Sequence, residues 1–215
     1  MGGSTPEKNA TILLRVLILI LSGLVLRTAW VCDDACIFLR HADLFVKGHG
    51  LTCNSGERAQ GFTNPLWLLL MTAFYLVTGE TYYTSIFLSL ASVLAAAWLI
   101  AFHQSADVVG AALALSIMVF SKAFIDYSTS GLKNPLSYLL TAAFLYVCFR
   151  PEPDRRSLLW LSLLAGLGTL NRMDAILLYA PVLLYRLFQI EDLRALGTVA
   201  LGLTPFLVWE SFSIV

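Results

Sequence analysis

Charge is scarce in this sequence. Asp, Glu, Lys and Arg make up 13% of the 215 residues, against 58% hydrophobic ones and a mean hydropathy of +0.77. So few polar side chains cannot cover a water-soluble globule of this size. Net charge is absent as well, because 14 basic residues balance 14 acidic ones. No overall field recruits nucleic acid, and the information lies in where the charges sit. The four cysteines form neither a CxxC nor a zinc spacing. A disulfide between Cys53 and either Cys32 or Cys36 stays open, with one thiol left over. A glycine-rich phosphate loop, a Ser-His-Asp arrangement and an HExxH helix are all missing. The first apolar run is longer than a signal-peptide core and no small-residue cleavage pattern follows it, so it is read as a spanning helix.

What is present is a series of apolar blocks separated by short polar turns. The first, Thr11–Val31, is about the ~20 residues that cross a bilayer, and Lys8 and Arg15 at its start put the amino terminus in the cytoplasm. Others lie at about Asn64–Thr78, Tyr82–Phe102, Val108–Phe120, Pro135–Phe149, Ser157–Leu170, Ala175–Phe188 and Ala195–Phe212. The linker RPEPDRR carries Arg150, Arg155 and Arg156 and reads as cytoplasmic too, so an even number of crossings must precede it. Asn64–Thr78 is the weakest of the blocks before that linker, being short and leading into Gly79-Glu80 with no basic residue. It is therefore expected to lie in the outer interface, with Trp67 and Tyr75 suited to that depth. The expectation is an all-α polytopic membrane protein. It has about seven transmembrane helices and one or two juxtamembrane helices in its first outer loop, and forms a single module over residues 1–215.

Most of the polar chemistry falls in that outer loop, at about residues 32–80, which opens on the adjacent acids Asp33 and Asp34. Asp34 to Lys47 is predicted to be an amphipathic helix stopped by Gly48, with Phe38, Leu39, Ala42, Phe45 and Val46 on one face. Asp33, Arg40 and Lys47 recur every seven residues and stack on the other face. Asp33 also suits a helix N-cap. The Gly- and Asn-rich loop after it reads as irregular backbone, with His49 a ligand, a base or a structural group and Glu57-Arg58 a solvated turn pair. Parity brings Lys122 to Asn134 and the run Asn171-Arg172-Met173-Asp174 to the same membrane face. Ionisable groups at a membrane edge are costly, which marks Asp126, Lys133, Arg172 and Asp174 as functional candidates. Arg172 and Asp174 equally suit a simple ion pair.

The run DDACIFLRHADLFVKGHGLTCNSGERAQGFTNPLW resembles the first outer loop of GT-C fold glycosyltransferases that use polyprenyl-phosphate sugars. It is most similar to the DDAxIxxRYxxNxxxGxGLVxNxGExVEGYTNPLW signature of the mycobacterial terminal arabinofuranosyltransferases and their bacterial relatives. STSGLKNPL resembles that family's SGLETPL, and NRMDAILL its TRPDGLLL, in matching order over residues 33–178. The departures are His41 for Tyr, Asp43 for Asn, Gln60 for Glu, Lys133 for Glu and Met173 for Pro. The resemblance implies a seven-span module with two juxtamembrane helices after the first span, in proteins that usually continue into further helices. The chain is therefore expected to be either a truncated or a minimal module of that kind, with a possible missing carboxy-terminal region.

It also implies chemistry. A sugar would pass from a polyprenyl-phosphate donor to a cell-envelope glycan, lipid or protein acceptor. The transfer would take place at the periplasmic face of a bacterial inner membrane, among membrane lipids. Such a transfer needs a base for the acceptor hydroxyl and cations for the departing phosphate. Asp33 is the expected base and Asp34 its partner. Arg40, Arg58, Lys133 and Arg172 are the expected phosphate binders, with His49, Asn54, Asn64, Asp126 and Asp174 in support. A divalent cation, Mg2+, Mn2+ or Ca2+, is a candidate cofactor, with Asp33 and Asp34 as its ligands. The alternative reading is a lipid-linked-sugar transporter or a non-catalytic membrane partner.

Overall fold

The structure is a computed structural model and describes residues 5–50, 63–105, 107–150, 154–190, 192 and 194–214. Among these residues there is no strand. The helices are α1 (Thr5–Arg27), α2 (Asp33–Val46), α3 (Pro65–Thr78), α4 (Tyr82–Leu99), α5 (Val108–Phe120) and α6 (Lys122–Tyr127). They continue with α7 (Asn134–Cys148), α8 (Arg155–Asn171), α9 (Ile176–Gln189), α10 (Arg194–Gly202) and α11 (Thr204–Ile214).

Local chemistry explains most of these boundaries. Asp107 starts α5 by accepting the Gly110 N–H at 2.7 Å, and Ser121 starts α6 from the Phe124 N–H at 3.3 Å. Asp154 and Ser157 form a reciprocal capping box at α8, satisfying two donors that a helix start leaves open. Pro65 opens α3, where its missing N–H costs nothing, and Gly79 closes it at φ 68°. The cap of α2 differs from expectation. Cys32, in extended backbone, is its N-cap and makes no side-chain cap bond, while Asp33 and Asp34 occupy the first turn, where carboxylates complement the helix dipole.

Helix α7 sits centrally, packed on α4 and α8, while α8 also carries α9, α10 and α11. Helix α1 lies along α5 and α4, and α2 lies on α3. Three apolar clusters result. One joins α2, α3 and α7 through Phe38, Trp67, Leu68, Met71 and Leu136. Another joins α1, α4, α5 and α6 through Leu21, Val25, Val93, Leu115 and Ile125. The third joins α7, α8 and α9 through Phe144, Leu161 and Tyr179. Close approach on α8 depends on small residues: a Cβ on Gly168 would stand 2.3 Å from the Tyr179 ring.

By length and composition alone, two of the described helices, or three if a bent pair counts as one span, could cross a membrane. Lys8–Arg27, of 20 residues, and Tyr82–Gln104, of 23 residues with a final π-helical turn, are long and apolar enough to span a membrane. The pair α10 and α11, bent by 57°, makes a third if taken as one span. Helices α3, α5 and α7 have 14, 13 and 15 residues. At 1.5 Å per residue they rise only about 20–23 Å, short of a ~30 Å hydrocarbon core. Two further readings change. Trp67, expected at the outer interface, is fully buried within the protein, with its indole N–H donating to the Gly131 carbonyl at 2.9 Å. On α2, Phe38, Leu39 and Ala42 are buried as expected, but Phe45 and Val46 are exposed and His41 takes a core position.

Candidate functional site

One end of the bundle brings together three segments distant in sequence: the start of α2, the entry to α3, and the loop between α6 and α7. Residues Ser128 to Gly131 of that loop are buried and serve as the scaffold. The Ser130 carbonyl accepts the Cys32 N–H at 2.9 Å and the Gly131 carbonyl accepts the Trp67 indole, so the loop fixes where both α2 and α3 begin. Gly131 has φ 76°, which favours glycine, and a Cβ there would meet Ala35 Cβ and Val31 Cγ1, each at 3.0 Å. Backbone packing at Gly131 thus sets the position of the first turn of α2.

Beside this scaffold lies a cleft of about 320 Å³ lined by Asp34, Phe38, Thr63, Asn64, Lys133 and Asn134 among others. Its volume is at the small end for ligand pockets, ~300–1,000 Å³. Lys133 Nζ donates to Thr63 Oγ1 at 3.2 Å, joining the loop to the entry of α3. Burial depresses the Lys133 ammonium below the ordinary lysine range, and Arg172 nearby pushes it further down, against a partial offset from Asp174. A carboxylate and a cation therefore line one small cleft.

Arg172 and Asp174 adjoin this cleft and hold each other. Arg172 Nε donates to Asp174 Oδ1 and Oδ2 at 2.7 and 3.0 Å, and Nη2 donates to Oδ2 at 2.9 Å. That contact lowers the Asp174 pKa and raises that of Arg172. Arg172 also lines a second groove of about 420 Å³, otherwise almost wholly apolar, whose walls include Ile100, Leu145, Leu178 and Tyr179. A cation thus stands among residues suited to a hydrocarbon chain.

The other expected residues fall elsewhere. Asp33 is exposed in the first turn of α2 but does not line the cleft, and neither do Arg40 or His49, both exposed. Lys47 does not stack with Asp33. It donates to Asp43 Oδ2 at 2.7 Å, and Tyr75 donates to Asp43 Oδ1 at 2.8 Å, so this trio ties α2 to α3. Hydrogen bonds from Lys47 and then Tyr75 hold the Asp43 carboxyl below its usual range, and Asp43 raises Lys47 in return. Asp126 pairs with Lys122, while its carbonyl accepts the Trp30 indole at 2.9 Å. Arg58 and Asn54 lie outside the described residues. Cys32 and Cys36 are free thiols, and Cys53 also lies outside the described residues.

For a divalent cation the donor set is thin. Asp33 and Asp34 are successive residues, about 100° apart around a helix. Lys133 shares the cleft with Asp34. Among the described residues, no group of three or more His, Cys, Asp or Glu side chains gathers where a metal ion could sit. The described residues alone do not form the oxygen cage such an ion takes.

Three contributors escaped the sequence reading. Thr63 and Asn134 line the cleft, and Asn171 is fully buried behind it. The signal for Asn171 was its place directly before Arg172.

A sequence model of the dolichyl-phosphate-mannose-protein mannosyltransferase family matches residues 59–210, which takes in Asn64, Lys133, Arg172 and Asp174 but begins after Asp33 and Asp34. Neither a curated protein nor a solved structure matches the chain.

Proposed function

Since the chain belongs to the dolichyl-phosphate-mannose-protein mannosyltransferase family, a family of membrane glycosyltransferases that use lipid-phosphate-linked sugars, we propose that it transfers a sugar from a polyprenyl-phosphate donor to a hydroxyl acceptor in the cleft beside Lys133. The acceptor is a cell-envelope glycan, lipid or protein at the outer face of a bacterial inner membrane. The carrying observation is that Asp34, Asn64 and Lys133, from three separate segments, line one cleft next to Arg172 and its apolar groove.

The chemistry assigned to these groups is conservative. A carboxylate of the Asp33-Asp34 pair removes the proton from the acceptor hydroxyl, and the oxygen attacks the anomeric carbon. The bond from that carbon to the phosphate oxygen breaks, and its electron pair leaves with polyprenyl phosphate. Lys133 and Arg172 offset the added charge, Lys133 as a point charge and Arg172 through its planar fork. Asp34 is favoured as the base because it lines the cleft, and Asp33 then positions the acceptor. The polyprenyl tail lies in the apolar groove below Arg172. The proposed topology keeps seven crossings, with α2 and α3 interfacial, in a single module over 1–215. The donor sugar is a hexose or a pentose. The family match favours mannose, and the likeness of residues 33–67 to arabinofuranosyltransferases favours arabinofuranose.

The test is turnover of both polyprenyl-phosphate sugars by the purified chain in detergent, with Asp33→Asn and Asp34→Asn beside the wild type. Asn keeps the size of Asp but cannot take a proton. Asp34→Asn is expected to lower turnover by about 10²–10⁴-fold with donor binding retained. Near-normal turnover by both variants would remove the acid pair from the chemistry. Donor movement that occurs only across a sealed membrane, without transfer in detergent, would replace the enzyme by a transporter.

A further inference from the structure

The side chain of Asn171 is fully buried at the last residue of α8. Its amide Nδ2 donates to the Lys133 carbonyl at 2.9 Å and to Ser137 Oγ at 2.9 Å. The same Lys133 carbonyl accepts the Ser137 N–H at 3.1 Å and the Ser137 hydroxyl at 3.2 Å, so it is the best-anchored point of the loop. Lys133 is the N-cap of α7 but makes no side-chain cap bond, which leaves its ammonium to the cleft. The next residue after Asn171 is Arg172, whose extended backbone, at φ −155° and ψ 107°, ends α8. One buried amide thus stands between two cations that are far apart in sequence.

We propose that Asn171 is a positioning residue that locks Lys133 against Arg172, so that both cations meet a single phosphate-bearing ligand as a preformed pair. Two like charges held close repel each other. The pinned backbone fixes where the Lys133 side chain starts relative to Arg172, and the Thr63 hydroxyl then holds its ammonium. Anchoring the carbonyl instead of the ammonium keeps the charge available, and the anionic ligand supplies the missing counter-charge. This assignment rests on the proposed transfer for its purpose, but its geometry can be tested without any sugar moving.

The charged groups that bear on Lys133 are Asp34 from α2, across the cleft, and Arg172 and Asp174 from the segment after α8. Thr63 and Asn64, at the entry to α3, contribute no charge. The experiment uses the purified full chain in detergent and follows acetylation of Lys133 by acetic anhydride against pH, read by mass spectrometry. In the wild type the residue should titrate below an ordinary lysine. Asn171→Leu keeps a side chain of similar bulk but removes both bonds, and the titration should move up towards the ordinary value as Lys133 relaxes into solvent. Binding of polyprenyl phosphate, without sugar, should weaken about tenfold. It should weaken no further when Asn171→Leu is added to Lys133→Ala, because the two act as a unit. If Asn171→Leu does not accumulate as folded protein, Ser137→Ala decides, with a smaller shift in the same direction. An unchanged Lys133 titration, or losses that simply add, would reduce Asn171 to a packing residue. A protein that passes these tests but transfers no sugar would refute the proposed function and leave the clamp standing.

Discussion

Replacing Gly131 by alanine tests the scaffold on which the cleft depends. Two costs arise. At φ 76° an L-residue is strained by about 1–2 kcal/mol. The new methyl would also stand 3.0 Å from both Ala35 Cβ and Val31 Cγ1, closer than carbon atoms pack, and overpacking of that kind costs about 1–3 kcal/mol. The stiffer unfolded chain returns about 0.4–1 kcal/mol, leaving a net loss of about 1–5 kcal/mol. Gly48 supplies the control. It has φ 81° but no described residue within 4 Å of its Cβ, so Gly48→Ala carries only the strain and should cost about 0–1.6 kcal/mol. Both variants would be unfolded in parallel in detergent and followed by circular dichroism, with transfer assayed well below the transition. Gly131→Ala should be the less stable and should lose activity even where it is folded, because Val31 and Ala35 carry the start of α2, and with it Asp34. Equal stability of the two variants would refute the packing argument. Full activity of folded Gly131→Ala would show that the first turn of α2 need not sit where this loop holds it.

Two shorter predictions complete the set. Arg172→Lys keeps the charge but loses the planar fork, so donor affinity should fall while the protein stays folded, and a charge-swapped Arg172→Asp, Asp174→Arg pair should recover stability without activity. Full activity of the swapped pair would take Arg172 out of the site. With cysteines placed singly at Gly56, Gly79 and Ser157 in a cysteine-free background, an impermeant thiol reagent outside the cell should label the first two and not the third. Labelling of position 79 only from the cytoplasmic side would make α3 a crossing helix.

Helix positions were legible in the sequence because local signals set them. Val108–Phe120 matches α5 residue for residue, since Asp107 and Ser121 are cap formers on either side. The helix expected at Asp34–Lys47 occurs at Asp33–Val46. What sequence could not supply was the consequence of docking. No sequence signal shows that the Trp67 indole is anchored by the Gly131 carbonyl, a contact 64 residues away. Lys47 was expected to stack with residues seven positions back. It pairs instead with Asp43, because side chains four apart are neighbours on a helix. The choice between Asp33 and Asp34 turns on a rotation of about 100°, which is fixed only when α2 packs on α3 and the Ser130-Gly131 turn. Asn171 lacked any periodic or charge signal of its own. Its role depends on a carbonyl 38 residues earlier in the chain.

The cleft's electrostatics bear on why Lys133 is retained at such a position. Its ammonium donates to the neutral Thr63 hydroxyl, while burial and Arg172 both disfavour its charge. Between its lowered folded pKa and the unfolded value of 10.5, the unfolded state binds the extra proton, so stability rises with pH through that window. At neutral pH the protonated lysine is therefore a net cost to the fold. Arg172 does not share this condition, because Asp174 neutralises it. An anion entering between them gains most from Lys133, the cation whose charge is not already matched, and its binding repays the strain. A phosphate leaving with one more negative charge than it carried in the donor strengthens that contact during the reaction, which is where an interaction must grow in order to accelerate it.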